Sequence, residues 1–129
     1  MRSSSVAAVL LVAAGGAVGS VARYLAGLAA LGVSGHFPWG TLGVNVVGSF
    51  VLGMVLGALP AGTTGRLLLG TGLCGGFTTF SAFSAEAVAL AERGAPGRAA
   101  GYALASVGLG IAAAAAGAVV GRTAARALS

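Results

Sequence analysis

Long charge-free stretches divide the chain. Ser3–Ala22, Tyr24–Gly65, Leu67–Ala85 and Ala99–Gly121 contain no Asp, Glu, Lys or Arg, and Ala, Val, Leu and Gly dominate each of them. A helix crosses a bilayer with about 20 predominantly apolar residues. Tyr24–Gly65 is long enough for two crossings, so it must turn within itself, and "GVSGHFP" (32–38) supplies the Gly and Pro for that turn. The pattern predicts an all-α membrane protein with four transmembrane helices, at about 5–31, 38–59, 66–91 and 98–123. The connections "GVSGHFP", "PAGTTG" and "ERGAPG" are too short to hold a soluble domain, so residues 1–129 read as a single four-helix unit. The start, "MRSSSVAAVLLVAAGGA", has the basic end and apolar run of a signal peptide. The run continues to Arg23 and beyond, however, longer than a usual signal core, and reads as the first helix.

Composition agrees with this reading. The chain is 57% hydrophobic and 7% charged, against about 25% charged in a soluble domain, so it cannot cover a water-facing surface. Its net charge of +5 comes from seven Arg against two Glu. In a soluble protein such a balance suggests nucleic acid. Here the Arg stand singly near helix ends, which fits anchoring at lipid headgroups and no nucleic-acid partner. One Cys (Cys74), one His (His36) and two Glu (Glu86 and Glu92) leave no disulfide, no paired carboxylates and no usual metal-ligand cluster. An enzyme is not expected.

Four helices put both termini on one side, with Arg2, Arg66, Arg122 and Arg126. Arg93 and Arg98 fall on the other side, with Arg23 near it. The positive-inside bias is weak. Four short helices are also a thin wall for a polar path. Both points predict a dimer and make an antiparallel, dual-topology one feasible. Gly15/Gly19, Gly53/Gly57, Gly72/Gly76 and Gly117/Gly121 have the spacing that lets helices approach closely.

Polar residues inside these spans are costly and face a partner or a water-filled cavity. Thr41, Asn45 and Ser49 lie four apart on one stripe of the second helix. The spacing alone favours Asn45 as interhelical glue over a donor lining a path. Tyr102, Ser106 and Gly110 repeat the spacing on the fourth helix, where an interfacial Tyr and a Ser bonded back to its own helix are the plainer reading. In "GLCGGFTTFSAFSAE" (72–86), Gly75-Gly76 followed by Phe77-Thr78-Thr79 is poor α-helix. A mid-membrane break is expected there, freeing carbonyls that suit a hard cation such as Na+. Phe80 and Phe83 lie three apart beyond the break, with Ser81 and Ser84 close by. Glu86 is expected to pair with Arg or a hydroxyl. Arg23 reads equally as a snorkelling anchor or as a charge drawing anions to a vestibule. Amide and hydroxyl donors with electropositive ring edges, and almost no carboxylate, favour a small hard anion as solute.

These segments resemble the Fluc, or CrcB, family of fluoride channels. "GGAVGSVARY" (15–24), "GTLGVNVVGSFVLG" (40–53) and "GLCGGFTTFSAFSAE" (72–86) carry the resemblance, with a looser match through Tyr102 and Ser106. The resemblance implies a passive fluoride channel in the bacterial inner membrane that confers fluoride resistance. It implies an antiparallel homodimer with two pores and a structural Na+ at the centre, held by backbone carbonyls that map to Gly75 and Thr78. The pore phenylalanines map to Phe80 and Phe83, the pore amide to Asn45, and a line of hydroxyls to Thr79, Ser81, Tyr102 and Ser106. Arg23 and Glu86 also fall on family positions. One departure is Gly110, where some members carry a further Ser. A small drug/proton antiporter would need a carboxylate deep in the first helix, which is absent. A non-transporting assembly protein would use Asn45, Ser106 and the Gly pairs only as glue.

Overall fold

The structure is a computed structural model and describes residues 5–33 and 35–129. Arg2 and Ser34 lie outside the described residues. Every regular element among those residues is helical: α1 (Ser5–Ala30), α2 (Trp39–Ala58), α3 (a π-helical run Arg66–Cys74 continued by Gly75–Phe77), α4 (Phe80–Glu92) and α5 (Pro96–Ala127). The pair α3–α4 makes one crossing, Arg66–Glu92, so there are four spans long and apolar enough to cross a bilayer.

Local chemistry accounts for the element ends. Pro96 opens α5, where its missing N–H has no helical partner to lose. Arg126 sits in the last turn, where the helix dipole favours a cation. α5 therefore runs past both ends of the 98–123 span expected from hydropathy. The turns after α2 and α4 pass through Gly62 and Gly94 at φ of 77° and 79°, a region open to glycine and strained for most other residues.

Glycine also decides how the helices meet. On α2, Gly53 and Gly57 press against the carbonyls of Ala114 and Ala118, while Gly117 and Gly121 of α5 press against those of Phe50 and Met54. α1 meets α3 in the same manner, with Gly15 and Gly19 on the carbonyls of Leu68 and Leu73, and Gly72 and Gly76 on those of Val12 and Gly16. A Cβ at any of these eight positions would collide with backbone. The four spaced pairs thus form two reciprocal seams, as close approach of membrane helices requires. The densest apolar cluster is small: Leu42, Leu90 and Tyr102, flanked by Phe37 and Phe83. Val9, Leu10 and Val18 of α1 and Leu104 and Ile111 of α5 are largely exposed, as lipid-facing side chains are.

The break in the third crossing falls inside the expected segment 75–79, at its C-terminal end. Gly75 and Gly76 stay helical, and the chain opens at Thr78 (φ −80°, ψ 158°) and Thr79 (φ −151°, ψ 119°). Gly76 is held helical because it must lie flat on Gly16. The β-branched threonines are the residues that suit extended backbone. The π-helical run before the break was not expected. Its exit is marked by Gly75 N–H, which bonds the carbonyls of both Gly70 and Gly72. Such segments are rare and often sit at functional sites.

Candidate functional site

The site grows out of the break. Asn45 reaches from α2 and pairs with Thr79 in both directions. Its Oδ1 accepts the Thr79 N–H at 2.8 Å and its Nδ2 donates to the Thr79 carbonyl at 3.0 Å. The amide acts as a strand partner for one extended residue. It is interhelical glue, and its Nδ2 carries a second hydrogen for another acceptor.

This pairing has consequences for the neighbouring carbonyls. In a continuous helix the Thr79 N–H would serve the Gly75 carbonyl, but here it goes to Asn45. The Ala82 N–H would serve Thr78, but goes instead to Thr79 Oγ1 at 3.1 Å, the N-cap of α4. Gly75 and Thr78 therefore both lose their regular donors. The Gly76 carbonyl is taken by Arg23 Nε at 3.1 Å and Ser20 Oγ at 3.5 Å. Arg23 thus caps the negative end of the half-helix, a role neither of its sequence readings contained. It also lines a hollow of about 270 Å³ with Tyr24, Thr41 and Thr79.

Nearly two turns into α4 the site is anchored by Glu86. Its Oε1 accepts from Thr41 Oγ1 and its Oε2 from Tyr102 Oη, both at 2.7 Å. The expected partner proves to be a pair of hydroxyls, and the carboxyl ties α2, α4 and α5 together. Tyr102 is completely buried. Its ring lies 5.4 Å edge-on to Phe37 and 5.1 Å from Phe83, which in turn lies 5.5 Å from Phe80.

A groove of about 340 Å³ runs between α2, the break and α5. Asn45, Thr78, Thr79, Phe80, Phe83 and Ser106 line it, so the structure brings most of the sequence candidates together. Phe80 stands at its edge, 79% exposed. Ser106 Oγ is buried with no hydrogen-bond partner, so the back-bonded serine expected from spacing is corrected. The implied hydroxyl line is split. Thr79 and Ser106 line the groove, Tyr102 turns to Glu86, and Ser81 is exposed outside the groove, 3.2 Å from Thr79 Oγ1. Sequence reasoning placed neither Thr41 nor Ser49 in the site, although both share the stripe of Asn45. Among the described residues no three His, Cys, Asp or Glu converge.

Comparison with known proteins gives the family. Residues 10–118 match the family described as CrcB-like protein, Camphor Resistance (CrcB). The chain is 54% identical over 119 residues to the fluoride-specific ion channel FluC of Agrobacterium fabrum, covering 88% of this chain and 95% of that one. It is 51% identical to the protein of that name from Caulobacter vibrioides, covering 88% and 94%. The corresponding protein of Phenylobacterium zucineum is 50% identical, with 89% and 95% covered. A match over most of the length places the chain in the CrcB family.

Proposed function

We propose that this chain is a passive, fluoride-selective channel of a bacterial inner membrane, and that it works as an antiparallel, dual-topology homodimer with two ion paths and a structural Na+. The observation that carries the reading is the groove at the break, where an amide, a partnerless buried hydroxyl and an exposed aromatic ring converge. Its relatives are named as fluoride-specific ion channels. Fluoride holds water tightly, so a path must offer replacement donors. Asn45 Nδ2 and the Ser106 hydroxyl are such donors, and the electropositive edges of Phe80 and Phe83 bridge between them. In a groove closed to a narrow path by a second copy, donors of this kind would favour the smaller halide over chloride by size and by hydrogen-bond geometry.

The open side of the groove supports a second copy. A polar lining facing hydrocarbon is costly, and Phe80 stands fully out from the single chain. A partner laid over this face would shield both. The Gly75 and Thr78 carbonyls suit Na+ by their chemistry, since both are hard oxygen donors without their helical partners. Two carbonyls are few for such an ion, and a second copy would double the set. Bound Na+ would offset the carbonyl dipoles and fasten the breaks of the two copies.

No energy source is needed. Hydrogen fluoride crosses membranes as the neutral acid and ionises in a less acidic cytoplasm. The inside-negative potential then drives the anion outward with about 2.3 kcal/mol per charge per 100 mV. The test is ion efflux from liposomes holding the purified protein, read with a fluoride electrode and a chloride control. Rapid fluoride release without chloride release is expected. Release of neither ion from folded dimers, with Na+ present, would overturn the proposal.

A further inference from the structure

The polar stripe of α5 runs Tyr102, Ser106, Gly110 on successive turns, and its third position has no side chain. A polar atom nevertheless stands over that position. Ser49 Oγ of α2 lies 3.8 Å from where a Cβ on Gly110 would sit. Ser49, Ser106 and Gly110 all line the groove that contains Asn45.

Two hydroxyls of this groove, those of Ser49 and Ser106, behave differently from the others in the molecule, including Thr78 of the same groove, which bonds back to the Cys74 carbonyl at 2.9 Å. Ser84 and Thr123 bond back to the carbonyls of Phe80 and Val119, each at 2.9 Å, the usual refuge of a helical hydroxyl in apolar surroundings. Ser106 Oγ is buried without a partner, and Ser49 makes no hydrogen bond among the described residues. Two unpartnered hydroxyls thus face one groove from neighbouring helices. The Ser106 donor, buried and unsatisfied, is destabilising, so it calls for a ligand that accepts hydrogen bonds, and the half-buried Ser49 hydroxyl is free to join it.

We infer that Ser49 is a further donor of the ion path, supplying from α2 the hydroxyl that α5 lacks at Gly110. The inference rests on reading the groove as the fluoride path. The donors then alternate between helices, with Asn45 and Ser49 one turn apart on α2 and Ser106 on α5. An ion leaving the Asn45 amide meets a hydroxyl from each side before it regains water. Compact O–H donors favour a small halide, so Ser49 contributes to selectivity as well as to passage.

Fluoride efflux from liposomes tests this with Ser49→Ala, Ser106→Ala and the double variant Ser49→Ala/Gly110→Ser, each checked for dimer elution and melting. A Cβ at Gly110 meets Ser49 Oγ at ordinary contact distance, so serine fits there. Ser49→Ala is expected to lower flux about tenfold, the order expected for removing one hydrogen bond to a charged group. Adding Gly110→Ser should restore it by returning a hydroxyl from the opposite helix. Normal flux in Ser49→Ala with reduced flux in Ser106→Ala would overturn the role of Ser49 and leave the path reading standing. Normal flux in both would overturn the path reading as well. A loss that Gly110→Ser does not repair would assign Ser49 to packing and overturn the inference. If Ser49→Ala does not fold, Ser49→Cys, close in size with a weaker donor, carries the same comparison.

Discussion

Asn45 and Ser106 line the same groove but answer to different tests. Truncating Asn45 removes two interhelical hydrogen bonds at once, so Asn45→Ala should cost about 1–3 kcal/mol of stability and lower flux with it. Ser106 Oγ holds nothing in place. Ser106→Ala should leave the melting temperature unchanged or raise it, because removing a buried unsatisfied hydroxyl relieves about 1 kcal/mol or more, while fluoride flux falls. Melting and efflux measured on the two variants separate a structural tie from a path donor. A Ser106→Ala protein that melted early would contradict this assignment. At this scale the sequence was readable where cost was visible: an amide among valines, and a glutamate near a helix end. It did not give the Gly76 carbonyl as the partner of Arg23, nor the missing partner of Ser106. A helical serine can bond back or point away with equal ease, and an arginine reaches several acceptors, so neighbouring helices decide both.

The third crossing shows what an element can reveal before it is folded. Poor helix formers located the disruption, and of the five residues concerned the two threonines carry it. Gly76 is flattened against Gly16, and the threonines open instead. The π-helical run left no trace in the apolar pattern, because adding part of a residue per turn does not change which residues are apolar. The spaced glycines announced close packing, yet nothing in their spacing said that α1 would take α3 and α2 would take α5. Thr79 now carries a prediction of its own. Its Oγ1 caps α4 through the Ala82 N–H, and Thr79→Val keeps the β-branched backbone preference while removing the cap. The change should cost about 1 kcal/mol and speed amide hydrogen exchange at Ala82 more than at Leu90. Equal exchange at Ala82 in the two proteins would show that the cap does not hold the first turn.

For the molecule as a whole, connectivity divides the arginines with only a weak bias: Arg2, Arg66, Arg122 and Arg126 belong to one membrane face, and Arg93 and Arg98, with Arg23 nearby, to the other. So little asymmetry gives insertion no strong preference. A tag at the C-terminus should therefore be reachable from both sides of the membrane in intact cells and opened vesicles. Labelling from one side only would rule out the antiparallel dimer. This balance could be counted directly from the sequence, whereas the groove's open side emerged only from the folded chain. The two glycine seams have a thermal consequence. Backbone lying on backbone has no rotamers to rearrange and no side chains to compress, so the helices framing the groove resist sliding. Fluoride flux through such a frame should follow one straight Arrhenius line from cold to warm. Its modest activation enthalpy would belong to the ion's exchange of water for donors, with no kink to mark a helix shift.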